Sequence, residues 1–200
     1  MTDQYKTIQS PASAEFKEKG SKFIAQVFPV QSREEAEQKL AEVKKEYYDA
    51  THNCSAFKVG IGDDAVYHYD DDGEPSGTAG QPIYQAITDA DLTDVLIVVT
   101  RYFGGTKLGT GGLIRAYSKA ATQAIEATKI ITKRLAEKLT VRTTYDDISQ
   151  VMRSLDEVEG KILSQDYGAD ITLQVAVRKS LANQFTERLT DLTAGRIEFG

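Results

Sequence analysis

The chain has 200 residues, 40% of them hydrophobic and 27% charged, with a formal net charge of −6. That composition describes a globular chain long enough for one large domain or two small ones, and it contains no long apolar run of the kind that spans a membrane. The opening MTDQYKTIQS lacks the basic-then-apolar pattern of an export signal, and the lone Cys54 allows neither an internal disulfide nor a zinc cluster, so a cytoplasmic, reducing address is expected.

Taken in chain order, Lys22–Val30 reads as a strand, and Ser32 with Glu35 forms a capping box for a helix running to about Tyr48. Ser55–Val59 and Ala65–Tyr69 read as two strands separated by the turn Gly60–Asp64. Asp70–Pro82 is a loop rich in Gly, Pro, Ser and Asp, followed by a short helix around Ile83–Asp89. Asp94–Thr100 is a continuous apolar strand of the kind buried on both faces. The glycine-rich loop Arg101–Gly112 then leads into a helix from Leu113 to about Thr128, with Leu113, Tyr117, Ala120, Ala121 and Ala124 on its core face and Arg115 and Lys119 on the other. From Leu139 the order is complete: strand to Tyr145, helix Asp147–Val158, strands Lys161–Tyr167 and Asp170–Arg178, helix Ser180–Thr193, strand Arg196–Phe199. This is a ferredoxin-like βαββαβ unit. An α+β chain of two domains follows, 1–134 and 135–200, with the boundary near Lys133–Lys138.

Charge is strongly segregated. Residues 59–100 hold nine acids and no Lys or Arg, whereas residues 101–134 hold seven cations against Glu126 alone. The second stretch supplies the local basic footprint that nucleic-acid binders show. Within it, glycines let a ligand approach the backbone, and Gly111–Gly112 at a helix start exposes unpaired N–H groups at the positive end of the dipole. The candidate phosphate or nucleic-acid site is therefore Arg101, Tyr102, Gly104, Gly105, Lys107, Gly109, Gly111, Gly112, Arg115 and Lys119. Its spacing matches neither GxxxxGK[ST] nor GxGxxG, so nucleotide hydrolysis is not implied. The competing reading is a tight crossover whose glycines serve packing and whose cations are merely solvated.

The acidic loop offers a second candidate, a pocket of His52, Asp71, Asp72, Glu74, Ser76 and Thr78. Clustered carboxylates suit Mg²⁺ or Ca²⁺, but DDDGE lacks the ligand spacing of an EF-hand; the loop could equally shield the basic segment. His52 and Cys54 point to one side of a strand, the start of a thiol nucleophile, against the commoner case of a small buried cysteine. His68 reads as a hydrogen-bonded sheet residue, and Tyr102 or Phe103 could stack on unpaired bases.

Four blocks in order, SKFIA at Ser21–Ala25, HNCSAF at His52–Phe57, DDGEPSGTAGQP at Asp71–Pro82 and VTRYFGGTKLGTGGLIRAYSKAA at Val99–Ala121, resemble the signatures of the IMPACT family in its bacterial, YigZ-type form. The resemblance implies a first domain similar to the left-handed β-α-β fold of ribosomal proteins and elongation factor G, followed by a small ferredoxin-like domain. It also implies an association with translational regulation; eukaryotic members carry an additional RWD domain that this sequence lacks. The expectation is a translation-regulatory factor that binds RNA or ribosomes through the glycine-rich segment, with a protein partner on the C-terminal domain, no membrane partner, no catalytic residue, no metal and no cofactor. The alternatives are a metal-assisted enzyme acting on a phosphorylated small molecule and a protein-interaction module.

Overall fold

The computed structural model describes residues 3–200, which divide into two compact units. Tyr5–Lys133 forms the first; the described residues up to Gln4, together with Arg134–Gly200, form the second.

In chain order the first unit contains β1 (Gln4–Ile8), β2 (Ala12–Glu18), β3 (Ser21–Pro29), α1 (Arg33–Glu46), β4 (His52–Val59), β5 (Val66–Asp70), α2 (Gly80–Asp89), β6 (Val95–Tyr102), α3 (Thr110–Glu126) and β7 (Ile130–Arg134), all but the end residues Gln4 and Arg134. Five strands make one sheet in the order β2-β3-β6-β4-β5, while β1 and β7 make a separate two-stranded ribbon. Every described pairing in the five-stranded sheet is antiparallel. Strands β3 and β4 both run antiparallel to β6 between them, so α1 is the crossover that joins two parallel strands across it.

Alternation along β6 explains the layering. Val95, Ile97 and Val99 join a core with Phe23, Ala25, Cys54, Ala56 and the buried faces of α2 and α3. Leu96 and Val98 point the other way and pack with Phe57, Ala36 and Val43 beneath α1. A strand buried on both faces has no polar face to show, which is why its sequence is continuously apolar. Helix α2 lies over β4 and β5, and α3 over β2 and β3. Phe23 sits edge-on to Tyr117 of α3 at 5.4 Å, a geometry worth about 0.5–1.5 kcal/mol beyond simple burial.

Local signals set the helix ends with small displacements. Ser32 Oγ accepts the Glu35 N–H at 3.2 Å, but the Glu35 carboxylate reaches past Ser32 to the Gln31 N–H at 2.7 Å, so the box is shifted by one residue. Helix α2 begins at Gly80 and not at Ile83, because the Asp71 carboxylate caps it: Oδ1 accepts from Ala79 and Gly80 at 3.0 and 2.8 Å. Helix α3 begins at Thr110, which places Gly111 and Gly112 inside its first turn. Strands β1, β2 and β7 lie where no strand was expected.

The second unit is β8 (Ala136–Thr143), α4 (Ile148–Glu157), β9 (Lys161–Tyr167), β10 (Ile171–Arg178), α5 (Ala182–Leu192) and β11 (Glu198–Phe199). Its sheet order β11-β8-β10-β9 is the ferredoxin-like arrangement. Val141, Leu173 and Val175 on the sheet meet Val151, Leu155, Phe185 and Leu189 on the helices. The last helix is shorter than expected, since residues 179–181 form a 3-10 turn before it.

Candidate functional site

The expected site residues separate into two groups, one turned into the first unit and one turned out.

The inward group centres on Arg101. Its guanidinium is only 5% exposed; Nη1 donates to Glu74 Oε1 at 2.5 Å and Nη2 to Ser21 Oγ at 3.2 Å, and its carbon lies 5.5 Å from the Phe23 ring. Tyr117 Oη donates to the same Glu74 oxygen at 2.8 Å. The Cys54 thiol donates its one S–H to the Asp71 carbonyl at 3.0 Å, and its sulfur lies 3.4 Å from Tyr117 Oη. Burial pushes the Cys54 thiol and the Tyr117 phenol well above their ordinary values, so Cys54 stays protonated and is a poor nucleophile. His52 Nδ1 lies 2.8 Å from the Asp72 carbonyl oxygen, which can only accept, so Nδ1 carries the proton and Nε2 faces Glu74 Oε1 at 3.9 Å.

The acidic loop closes over this network. Asp71 caps α2 and also accepts from Gly77 at 2.8 Å through Oδ2. Asp72 bridges Lys44 at 2.7 Å and the Asn53 N–H at 2.6 Å. Thr78 is buried and donates to the Pro75 carbonyl at 2.6 Å, while Ser76 is exposed. Each carboxylate of Asp71, Asp72 and Glu74 thus has protein partners, and among the described residues no three His, Cys, Asp or Glu side chains are grouped to hold a metal ion.

Gly104 is exposed but packs directly on the backbone of the β2–β3 turn. A Cβ there would fall 1.8 Å from the Gly20 carbonyl carbon, so the glycine is needed for the segment to cross the β2–β3 turn. Tyr102 is half-buried at the end of β6, and its hydroxyl donates to Asp49 at 2.8 Å.

The outward group is Gly105, Lys107, Gly109, Gly111, Gly112, Arg115 and Lys119. Gly109 is the N-cap residue of α3 with φ of 74°, a conformation that favours glycine; no side chain caps this helix and its first turn holds no acid. The Arg115 guanidinium folds back over the first turn, 3.5 Å from where a Gly111 Cβ would stand. Beside it runs a groove of about 240 Å³ lined by Phe16, Glu18, Lys19, Leu108, Gly112, Arg115, Ala116 and Lys119. Lys119 Nζ lies 4.6 Å from the Phe16 ring centre. Lys19, Lys107, Arg115 and Lys119 are all exposed, and among the described residues none forms an ion pair with a carboxylate.

Sequence reasoning missed Phe16 and Lys19, which reach the groove from β2 and its turn. The signal was faint: Lys19–Gly20 is a two-residue turn with φ of 47° and 84°, but β2 itself has Phe16 as its one large apolar residue among small and charged ones. It also missed Ser21 and Tyr117 as the partners of the buried pair.

These features define a two-unit α+β protein whose open, uncapped helix end faces a basic groove. The comparisons with known proteins then place it: the chain belongs to the IMPACT family. The Impact N-terminal domain matches residues 19–125, and a domain of unknown function, DUF1949, matches residues 141–196. The IMPACT family member YvyE of Bacillus subtilis is 34% identical over 98% of this chain and 90% of its own. YigZ of Escherichia coli is 33% identical over 90% of this chain and 89% of its own. A crystal structure described as that of a hypothetical protein covers 100% of this chain and 97% of its own, at a TM-score of 0.73 and 30% identity.

Proposed function

We propose that this protein is a cytoplasmic translation-regulatory factor that binds RNA or ribosomes through the groove at the start of α3. The observation that carries this reading is a set of exposed cations with no ion-pair partner among the described residues: Lys19, Arg115 and Lys119 line the groove together with Glu18, and Lys107 lies two residues before the uncapped N-terminus of α3 at Gly109. Free backbone N–H groups and the helix dipole favour an anion there, and a bound phosphate would relieve the repulsion among the cations. Phe16 stacks on Phe23 at 5.1 Å and carries Lys119 4.6 Å from its ring centre, which holds that ammonium at the groove.

Neutralising four phosphates gives a slope of about −3 in log affinity against log salt, so binding weakens roughly sixtyfold between about 50 and 200 mM. The reading is tested by capturing the tagged full chain from cells at low salt and identifying the RNA that comes with it. Ribosomal RNA is expected, released on raising the salt and on Lys107→Gln with Arg115→Gln. Capture free of RNA, or RNA held equally by both forms, contradicts the reading.

A further inference from the structure

At the opposite edge of the same sheet lies a surface of a different chemistry. Strand β5 ends the order β2-β3-β6-β4-β5, so one row of its backbone N–H and C=O groups faces away from β4. Such edges are commonly blunted by Lys, Pro or a covering element. The sequence of β5, VYHYD, contains neither residue, and Val66, Tyr67 and Tyr69 are 44%, 56% and 42% exposed. The aromatics are organised: Tyr67 stacks on Tyr84 of α2 at 4.8 Å between ring centres with 23° between planes, and Tyr69 lies 5.9 Å from the same ring. Three tyrosines therefore form one floor beside an open strand.

The charge around that floor is acidic. Asp63 and Asp64, in the turn that leads into β5, are exposed and form no ion pair among the described residues. The segment 59–100 contains no Lys or Arg; Lys58, across from Tyr67, is the one such cation on β4. Phosphate would be repelled here, and a second copy would bring two acidic edges together.

We propose that the free edge of β5 docks an extended, basic segment of a partner protein, which adds a strand to the sheet and rests its cationic side chains on Tyr67, Tyr69 and Tyr84. Main-chain hydrogen bonds supply affinity in this mode, alternate side chains supply specificity, and Lys or Arg gains from the faces of aromatic rings. The acids of the adjoining turn select a cationic segment over an anionic one.

The test is titration of the isotope-labelled full chain with a peptide of alternating Lys and Val, about eight residues long, followed by backbone resonances. The expected result is a change confined to Val66–Asp70 and the neighbouring tyrosines. Tyr67→Ala with Tyr69→Ala should weaken binding by about tenfold or more, with the remaining resonances unmoved to show that the fold persists. Asp63→Asn with Asp64→Asn should weaken it less and remove salt dependence. The same peptide methylated on alternate backbone nitrogens should lose affinity, because it cannot complete a ladder. No binding, equal binding of a Glu-Val peptide or of the methylated peptide, changes centred elsewhere, the same residues responding to an oligoribonucleotide instead, or dimerisation through β5 would each overturn the proposal.

Discussion

Arg101 and Arg115 are the same residue type in opposite surroundings. Arg101 points into the unit, held by Glu74 and Ser21 above Phe23, with Tyr117 hydrogen-bonded to the same carboxylate. Arg115 lies exposed on the first turn of α3, beside Lys119 and Lys19, with no carboxylate partner among the described residues. A buried cation with a buried counter-ion is part of what folds the chain, because neither charge tolerates the loss of the other. An exposed cation at a helix N-terminus contributes little to stability and is available to an anion. The difference separates the two ends of one glycine-rich stretch, one buried and paired and the other exposed.

The comparison is sharpened most by breaking the buried pair. Glu74→Ala leaves the Arg101 guanidinium buried without its partner, and a loss of about 3–5 kcal/mol in unfolding free energy is expected, measured by urea denaturation. A loss under about 1 kcal/mol would show that Arg101 can turn out to solvent. Gly104→Ala comes next, since its Cβ meets the Gly20 backbone and something must move; about 1–3 kcal/mol is expected from the same measurement.

The pH dependence has a definite sign. Burial raises the Cys54 thiol and the Tyr117 phenol above their unfolded values, and Tyr5, partly buried beside Asp94, is pushed up to about 12. Groups raised in the folded state contribute stability that is complete below their unfolded values, near pH 8.5 for Cys and about 10 for Tyr, and is lost as the pH rises. The denaturation midpoint should therefore fall from about pH 8.5 upward and more steeply above about 10. Tyr117→Phe should flatten the upper part of that fall, while costing about 1–3 kcal/mol at neutral pH through the hydrogen bond lost by Glu74. The smallest effect belongs to Lys107→Gln, which should leave stability within about 0.5 kcal/mol of the parent.

Much of this arrangement was legible in residue pattern alone. The periods of β6, α3 and the ferredoxin-like half follow from which faces they bury, and those elements lie within a few residues of the expected positions. Strand β2 escaped because its inward positions Ala12, Ala14 and Phe16 are only half-buried and two of them are alanines, a stripe too weakly apolar to stand out. The inward turn of Arg101 escaped for another reason: its partner Glu74 is 27 residues away, in a loop whose acids look solvated when read locally. Asp71 was weighed as a metal ligand or a shield because nothing local marks it as the cap of a helix that starts nine residues later. Charge counting finds a basic segment; only long-range pairing separates the cations that fold the chain from those left free.

The most direct measurement is the salt dependence of RNA binding by Arg115→Gln beside the parent protein, with thermal unfolding recorded on the same samples. The account predicts a slope reduced by about one at unchanged melting temperature. An unchanged slope, or a reduced slope accompanied by a large drop in melting temperature, would contradict it.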